Sequence, residues 1–226
     1  MAKTYSIAID GPAGAGKSTI AKRLAKELGY CYVDTGAIYR TVAYFLDLLG
    51  VSPKDVDGVE SYIDELTINI EYDENGLQHM IMNVMDVTGD IRSQDISQKS
   101  SLVSAHAVVR EVLLDMQRDV ARKNNVIMDG RDIGTVVLPN ADVKIFLTAS
   151  PEVRAKRRTD ELTAKGQKAV YETILKEIIQ RDYQDSHRLV APLKQADDAV
   201  LVDTSNLNIQ EVMETIKGIV RERIAL

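Results

Sequence analysis

Eight consecutive residues, Gly11-Pro12-Ala13-Gly14-Ala15-Gly16-Lys17-Ser18, fit the pattern G-x-x-x-x-G-K-[ST]. Glycines at these places let the backbone wrap tightly, so that successive N–H groups point inward at a chain of phosphates. A helix starting at Lys17 adds the positive end of its dipole. Lys17 then reaches the β- and γ-phosphates, the Ser18 hydroxyl holds a Mg²⁺ ion, and Thr19 completes the stretch. The alternative is an ordinary Gly-rich strand–helix turn. A chance match in a chain this long has odds of about one in a hundred, and an apolar run before the stretch with an amphipathic helix after it lowers them further. The stretch is read as a nucleoside triphosphate site.

Other charged residues can complete such a site. Asp34-Thr35-Gly36-Ala37-Ile38-Tyr39-Arg40 follows a second apolar run, and an Arg a few residues into a helix can present its fork to a phosphate. The competing reading there is a helix cap with a surface arginine. Asp129-Gly130-Arg131-Asp132 ends another apolar run, where Asp129 suits a metal–water ligand and Arg131 and Asp132 would face the same cleft; the competing reading is a tight turn with an internal ion pair. Arg154, Arg157 and Arg158 stand at i, i+3, i+4 and so share a helix face. Three like charges there are either a solvated face partnered by Glu161 or a mobile helix that closes over a transferring phosphoryl group. Arg181, Asp185 and Arg188 repeat the theme at i, i+4, i+7, ahead of Ala191-Pro192-Leu193.

These residues need a frame. Short apolar runs at Ser6–Asp10, 30–34, Val126–Asp129, 143–149 and 199–203 alternate with helical patterns, the arrangement of a mainly parallel five-stranded sheet with helices on both faces. Helices are expected over Lys17–Leu28, closed by Gly29, and over 36–49, closed by Gly50. Others are expected from Ser52-Pro53, as one long stretch from Arg92 to Lys123, from Ser150-Pro151, and at the C-terminus along Ile209, Val212, Met213, Ile216, Val220 and Ile224. The segment 66–85 breaks the alternation: two strand-like runs flank Asp73-Glu74-Asn75-Gly76, an antiparallel excursion. The expected organisation is one unit: a core of 1–57, 101–149 and 189–226, an insert at 58–100, and an arginine-rich helical lid at 150–188.

Composition narrows the class. The chain has 226 residues, 28 Lys and Arg against 34 Asp and Glu, and a net charge of −6. An acidic chain is a poor candidate for sequence-independent nucleic-acid binding. One cysteine, Cys31, excludes an intrachain disulfide, and the three histidines offer no zinc-ligand spacing. No run of about 18 apolar residues is present, so no membrane span is expected. The expected protein is a cytoplasmic monomer. A small GTPase would need a base-reading N-K-x-D, which is absent. A kinase for shikimate or a sugar acid would not need the enlarged insert or the later arginine row, and a nucleotide sensor would not need three lid arginines.

The stretches GPAGAGKST, DTGAIYR, DVTGDIRS, DGRDIGTVVLPNADVKIFLTAS, RAKRR, RDYQDSHR and APL, in this order along nearly the whole chain, resemble the bacterial cytidylate kinase family of P-loop proteins. The resemblance implies an α/β nucleoside monophosphate kinase fold, transfer of a phosphoryl group from ATP to CMP or dCMP, and Mg²⁺ with the ATP. By the same resemblance, the loop 11–18 binds ATP phosphates, and Arg40 and Arg131, helped by Arg188, hold the CMP phosphate. Ser101, Arg110 and Asp132 recognise cytosine, Arg181 and Asp185 contact the sugar, and Thr35 and Tyr39 line the CMP site. Lys17, Arg131, Arg188 and the lid arginines Arg154, Arg157 and Arg158 form the catalytic set.

Overall fold

In the computed structural model, which describes residues 3–224, the chain starts with β1 (Ser6–Asp10) and α1 (Lys17–Leu28). Gly29 stops α1 in the left-handed conformation, returning its N–H to the Ala25 carbonyl. β2 (Cys31–Asp34) runs directly into α2 (Thr35–Leu48), because the Asp34 carboxylate accepts from Ala37 N at 2.9 Å and caps the helix. The helix expected from Ser52-Pro53 opens three residues later, as α3 (Val56–Tyr62). Ser52 and Pro53 form a turn instead, with Asp55 N donating to the Ser52 carbonyl, and Asp55 is the cap that Gly58 N meets.

The excursion is a three-stranded antiparallel sheet, β3 (Ile68–Tyr72), β4 (Gln78–Met82) and β5 (Met85–Asp86). Met80 and Met82 point into the core shared with α2, while Met85 is exposed. The single helix expected from Arg92 to Lys123 is two, α4 (Gln94–Val103) and α5 (Ala107–Lys123). Between them His106 is extended, and its Nε2 meets the Pro53 carbonyl at 2.8 Å. The chain continues through β6 (Val126–Gly130), a π turn over Ile133–Val137, β7 (Val143–Thr148), α6 (Pro151–Ala164), α7 (Tyr171–His187), β8 (Val200–Asp203) and α8 (Ile209–Arg223). Ser150 caps α6 as expected, accepting from Val153 N.

The five core strands are parallel, in the order β2-β6-β1-β7-β8. Both sheet faces are covered, which is why the strands read as apolar runs. Ala8, Val33 and Met128 face the cluster of α2, α4, α5 and the small sheet; Ile7, Ile9, Ile127 and Ile145 face that of α1 and α8. Open parallel sheets bind ligands beyond the carboxyl ends of their strands, and here those ends carry Asp10, Asp34 and Asp129.

Candidate active site

The loop from β1 to α1 begins with a position only glycine can fill. Gly11 has φ +146°, and a Cβ there would lie 1.9 Å from the Leu147 carbonyl oxygen on β7. The loop therefore wraps against the sheet edge. Lys17, buried at the first turn of α1, donates from Nζ to the Pro12 carbonyl at 2.8 Å. Burial, and then the nearby Arg131 charge, lower its ammonium pKa to about 7. The Ser18 hydroxyl donates to Asp129 Oδ2 at 2.7 Å, and the Tyr32 hydroxyl to Asp129 Oδ1 at 2.9 Å. Burial, then the Asp34 charge, raise the Asp129 carboxyl.

A cleft of about 210 Å³ opens beside this loop. Its floor holds Ala13, Gly14, Lys17 and Ser18 on one side and Arg110, Asp132 and Arg188 on the other. Asp132 receives Arg110 Nη2, and also Arg188 Nη2 at 3.3 Å; all three side chains are buried. Arg110 also donates to the Ser104 carbonyl at 3.1 Å and stacks over the Tyr39 ring, 5.3 Å from its centroid. Arg188 donates to Ser104 Oγ at 3.2 Å. In the middle of the cleft Arg131 Nε donates to Asp185 Oδ2 at 2.8 Å, and Ser101 Oγ to Asp185 Oδ1 at 3.2 Å. Arg181 Nε is buried without a partner among the described residues. Burial, and then the Arg131 charge, lower the Arg181 guanidinium to about 10. Arg40 pairs with Asp34 at 2.9 Å, and Thr35 Oγ1 donates to the Asp129 carbonyl at 2.8 Å.

All the expected acceptor residues line this cleft, and of the expected donor loop Ala13, Gly14, Lys17 and Ser18 do; Gly11, Pro12, Ala15, Gly16 and the exposed Thr19 lie outside the lining. The lid arginines are not brought together. Arg154 is buried against the loop at Ala13, Arg157 donates to the carbonyl and hydroxyl of Thr204 beyond β8, and Arg158 pairs with Glu161. Their Cα atoms share a helix face, but the long side chains diverge toward different partners. A second hollow between α6 and α7, lined by Glu152, Val153, Lys156, Thr159, Asp160 and Tyr171, shares no residue with this cleft.

Three groups of site residues escape the sequence reading. Ser97, Ser100 and Ser104 stand at i, i+3 and i+7 and line the cleft beside the expected Ser101 at i+4, a polar helix stripe that the spacing carries. Asp10 accepts from Ile133 N at 2.8 Å and Gly134 N at 2.7 Å, holding the π turn that follows Asp132; burial raises this carboxyl to about 6. Asp182 pairs with Arg154. Neither pairing has a sequence signal, because each joins segments more than 25 residues apart.

Among the described residues, no three His, Cys, Asp or Glu side chains converge on a metal position. The oxygens of Ser18 and Asp129 at the cleft fit Mg²⁺ nonetheless, since that ion takes one or two protein oxygens, with water and substrate phosphates filling the rest. No helix of the described residues is long and apolar enough to cross a membrane.

A family model described as cytidylate kinase matches residues 7–222 of this chain. A cytidylate kinase of Exiguobacterium is 48% identical over 222 residues, covering 98% of this chain and 99% of that protein. One of Streptococcus pneumoniae is 47% identical, covering 98% and 100%, and one of Clostridium tetani is 47% identical, covering 96% and 94%. An uncharacterised protein from Eubacterium ventriosum has a similar fold, with a TM-score of 0.52 at 15% identity, covering 98% of this chain and all of that one.

Proposed function

This chain belongs to the cytidylate kinase family, and from that premise we propose how its cleft carries out the reaction. It is a phosphotransferase that moves the γ-phosphoryl group of ATP to CMP or dCMP, giving ADP and CDP or dCDP. The observation that carries the residue assignment is the shared cleft: Lys17 of the donor loop and the Arg110–Asp132–Arg188 cluster line one space, with Arg131 between them.

The N–H groups of loop 11–18 and Lys17 hold the ATP phosphates. Ser18, with Asp129 acting through water, would hold Mg²⁺, which when bound would supply positive charge against the ATP phosphates. Arg40, Arg131 and Arg188 hold the CMP phosphate, and the unpartnered Nε of Arg181 offers a further donor beside Asp185, where the sugar would lie. Phosphoryl transfer between phosphates asks mainly for positioning and charge neutralisation, so these cations are the catalytic apparatus and no histidine base is needed. Thr35 and Tyr39 form the wall under the acceptor.

Base selection follows from donor and acceptor types. Arg110 can only donate, which suits O2 and N3 of cytosine, and the Asp132 carboxylate accepts from the 4-amino group. Uracil presents N3–H and O4 at those places, so each mismatched group costs about 1–3 kcal/mol. Closure of the lid 150–188 and the insert 58–100 excludes water and delivers Arg157 and Arg158, which must first leave Thr204 and Glu161. A cytoplasmic monomer is part of this reading. Its test is ADP formation from ATP with CMP, dCMP, UMP, AMP and GMP as acceptors: CMP and dCMP should give the highest kcat/KM, and equal rates with UMP would overturn the base-site assignment.

A further inference from the structure

Of the three arginines on α6, only Arg154 reaches the donor loop, and almost every donor it has is committed. Its Nε donates to the Ala149 carbonyl at 2.8 Å and its Nη1 to the Ala13 carbonyl at 3.0 Å. Its two terminal nitrogens grip the Asp182 carboxylate, Nη1 to Oδ1 at 3.0 Å and Nη2 to Oδ2 at 2.5 Å. Of the five N–H bonds of a guanidinium, this leaves one, on Nη2. The Arg154 side chain is 2% exposed. Two carbonyl partners can orient such a group but do not neutralise it, and a buried cation keeps its place only when an anion is paired with it. Asp182 is that anion, and its two-point contact fixes the plane of the fork as well as its charge.

We propose that Asp182 is a positioning residue for phosphoryl transfer: acting through Arg154, it holds the guanidinium against the rim of the donor loop with one N–H free for an ATP phosphate oxygen. The proposal rests on the reading of Arg154 as one of the lid arginines of the catalytic set, and it adds the donor phosphates as what that arginine meets. Asp182 also lies three residues before Asp185 on α7, on the same flank, and Asp185 holds Arg131 in the acceptor half of the cleft. One helix thereby sets a donor-side and an acceptor-side arginine. A carboxylate that only tied α6 to α7 would affect stability, without preference for one substrate and without needing Arg154.

The experiment is steady-state kinetics of the full chain with Mg²⁺, ATP and CMP titrated separately, for D182N, D182E, R154M and the double variant R154M/D182N, with melting curves to establish that each is folded. Asn keeps the shape of Asp but removes the charge and turns donors toward the guanidinium. D182N should lower kcat/KM for ATP at least about tenfold while KM for CMP stays within about twofold, and D182E should recover part of the loss. The double variant should be no worse than R154M alone, since residues acting as a unit are not additive. D182N with wild-type kinetics, or losses that multiply in the double variant, overturns the proposal while leaving Arg154 its role; if D182N does not fold, D182E is judged against R154M by the same criterion. R154M with wild-type kinetics overturns the reading of Arg154 itself, and this proposal with it.

Discussion

Asp132→Asn should damage the fold more than Arg110→Met, although both change the same cluster. Among the described residues, Asp132 is the only carboxylate within ion-pair distance of either Arg110 or Arg188, and both side chains are nearly closed to solvent. The two guanidinium groups already disfavour each other: burial, and then the Arg110 charge, hold Arg188 below the usual arginine range. Asn at 132 leaves two buried cations without a counter-charge, a situation that costs about 3–5 kcal/mol. At roughly 2–4 °C per kcal/mol for a chain of this size, a loss of ~4 kcal/mol lowers Tm by about 8–16 °C. Arg110→Met is milder, because Asp132 keeps Arg188 and the methionine stem still packs on Tyr39. It forfeits two charge-assisted hydrogen bonds, to Asp132 and to the Ser104 carbonyl, at the low end about 3 kcal/mol together, or ~6–12 °C. The kinetic order differs: Arg110→Met should raise KM for CMP at least about tenfold, ~1.4 kcal/mol, with ATP binding nearly unchanged. Asn at 132 should narrow the preference for CMP over UMP, since an amide can donate to uracil O4. Scanning calorimetry of the unliganded proteins and initial rates on both acceptors measure these effects. A Tm for Asp132→Asn equal to or above that of Arg110→Met, or an unaltered KM for CMP in the latter, refutes the reasoning.

Lys17→Ala should keep the fold and lower turnover more than about a hundredfold, roughly 3 kcal/mol of transition-state stabilisation; near-normal kcat in a folded variant would remove the donor-loop assignment. His79 hydrogen-bonds Asp86 at 2.7 Å, which raises its ring pKa above the ordinary value, so the pair stabilises the insert fully below the unfolded pKa and loses that contribution as pH rises through the higher folded one. NMR titration of the ring should show this, and Asp86→Asn should bring the midpoint down. Val84 forms the tip of the hairpin between β4 and β5 with φ +75°, and is 95% exposed. A β-branched residue is strained there, so Val84→Gly should raise Tm by about 1–3 °C, corresponding to ~0.5–1 kcal/mol of relieved strain after glycine's own entropy; a lower Tm would mean the turn favours Val84 for a reason outside its backbone.

The sequence made some parts of this molecule legible because their physics is local. The core strands are covered on both sides, so they appear as apolar runs, and two of them, β2 and β6, carry at their carboxyl ends the aspartates Asp34 and Asp129 that line the cleft. The donor loop is eight adjacent residues whose glycines serve the same backbone path. The proposed acceptor half draws on α2, α4, α5, the end of β6 and α7, so residue spacing supplied candidates and the family resemblance supplied their grouping. The long helix expected over 92–123 failed for a related reason. No Gly or Pro marks residues 104–106, and the break instead serves contacts made from outside: the Ser104 carbonyl accepts from Arg110, its hydroxyl from Arg188, and the His106 ring meets Pro53. Likewise the spacing of Arg154, Arg157 and Arg158 specifies a helix face but not Asp182, Thr204 and Glu161, the partners that separate them.

The charge balance of the cleft ties these pieces to the reaction. A chain of net charge −6 gathers Arg40, Arg110, Arg131, Arg181 and Arg188 into one space, where among the described residues only Asp34, Asp132 and Asp185 are their ion-pair partners. Two guanidinium charges are thus left over in the acceptor half, and the buried Nε of Arg181 marks where one of them lies. A nucleoside monophosphate brings a phosphate of nearly two negative charges at neutral pH, with a second pKa near 6 as for other phosphate monoesters. Neutralising it would take up the surplus without breaking any of the four ion pairs that keep the arginines in place. The carboxylates therefore do two things at once: they make a dense arginine cluster tolerable in the empty protein, and they leave unpaired an amount of charge that matches the phosphate of the acceptor.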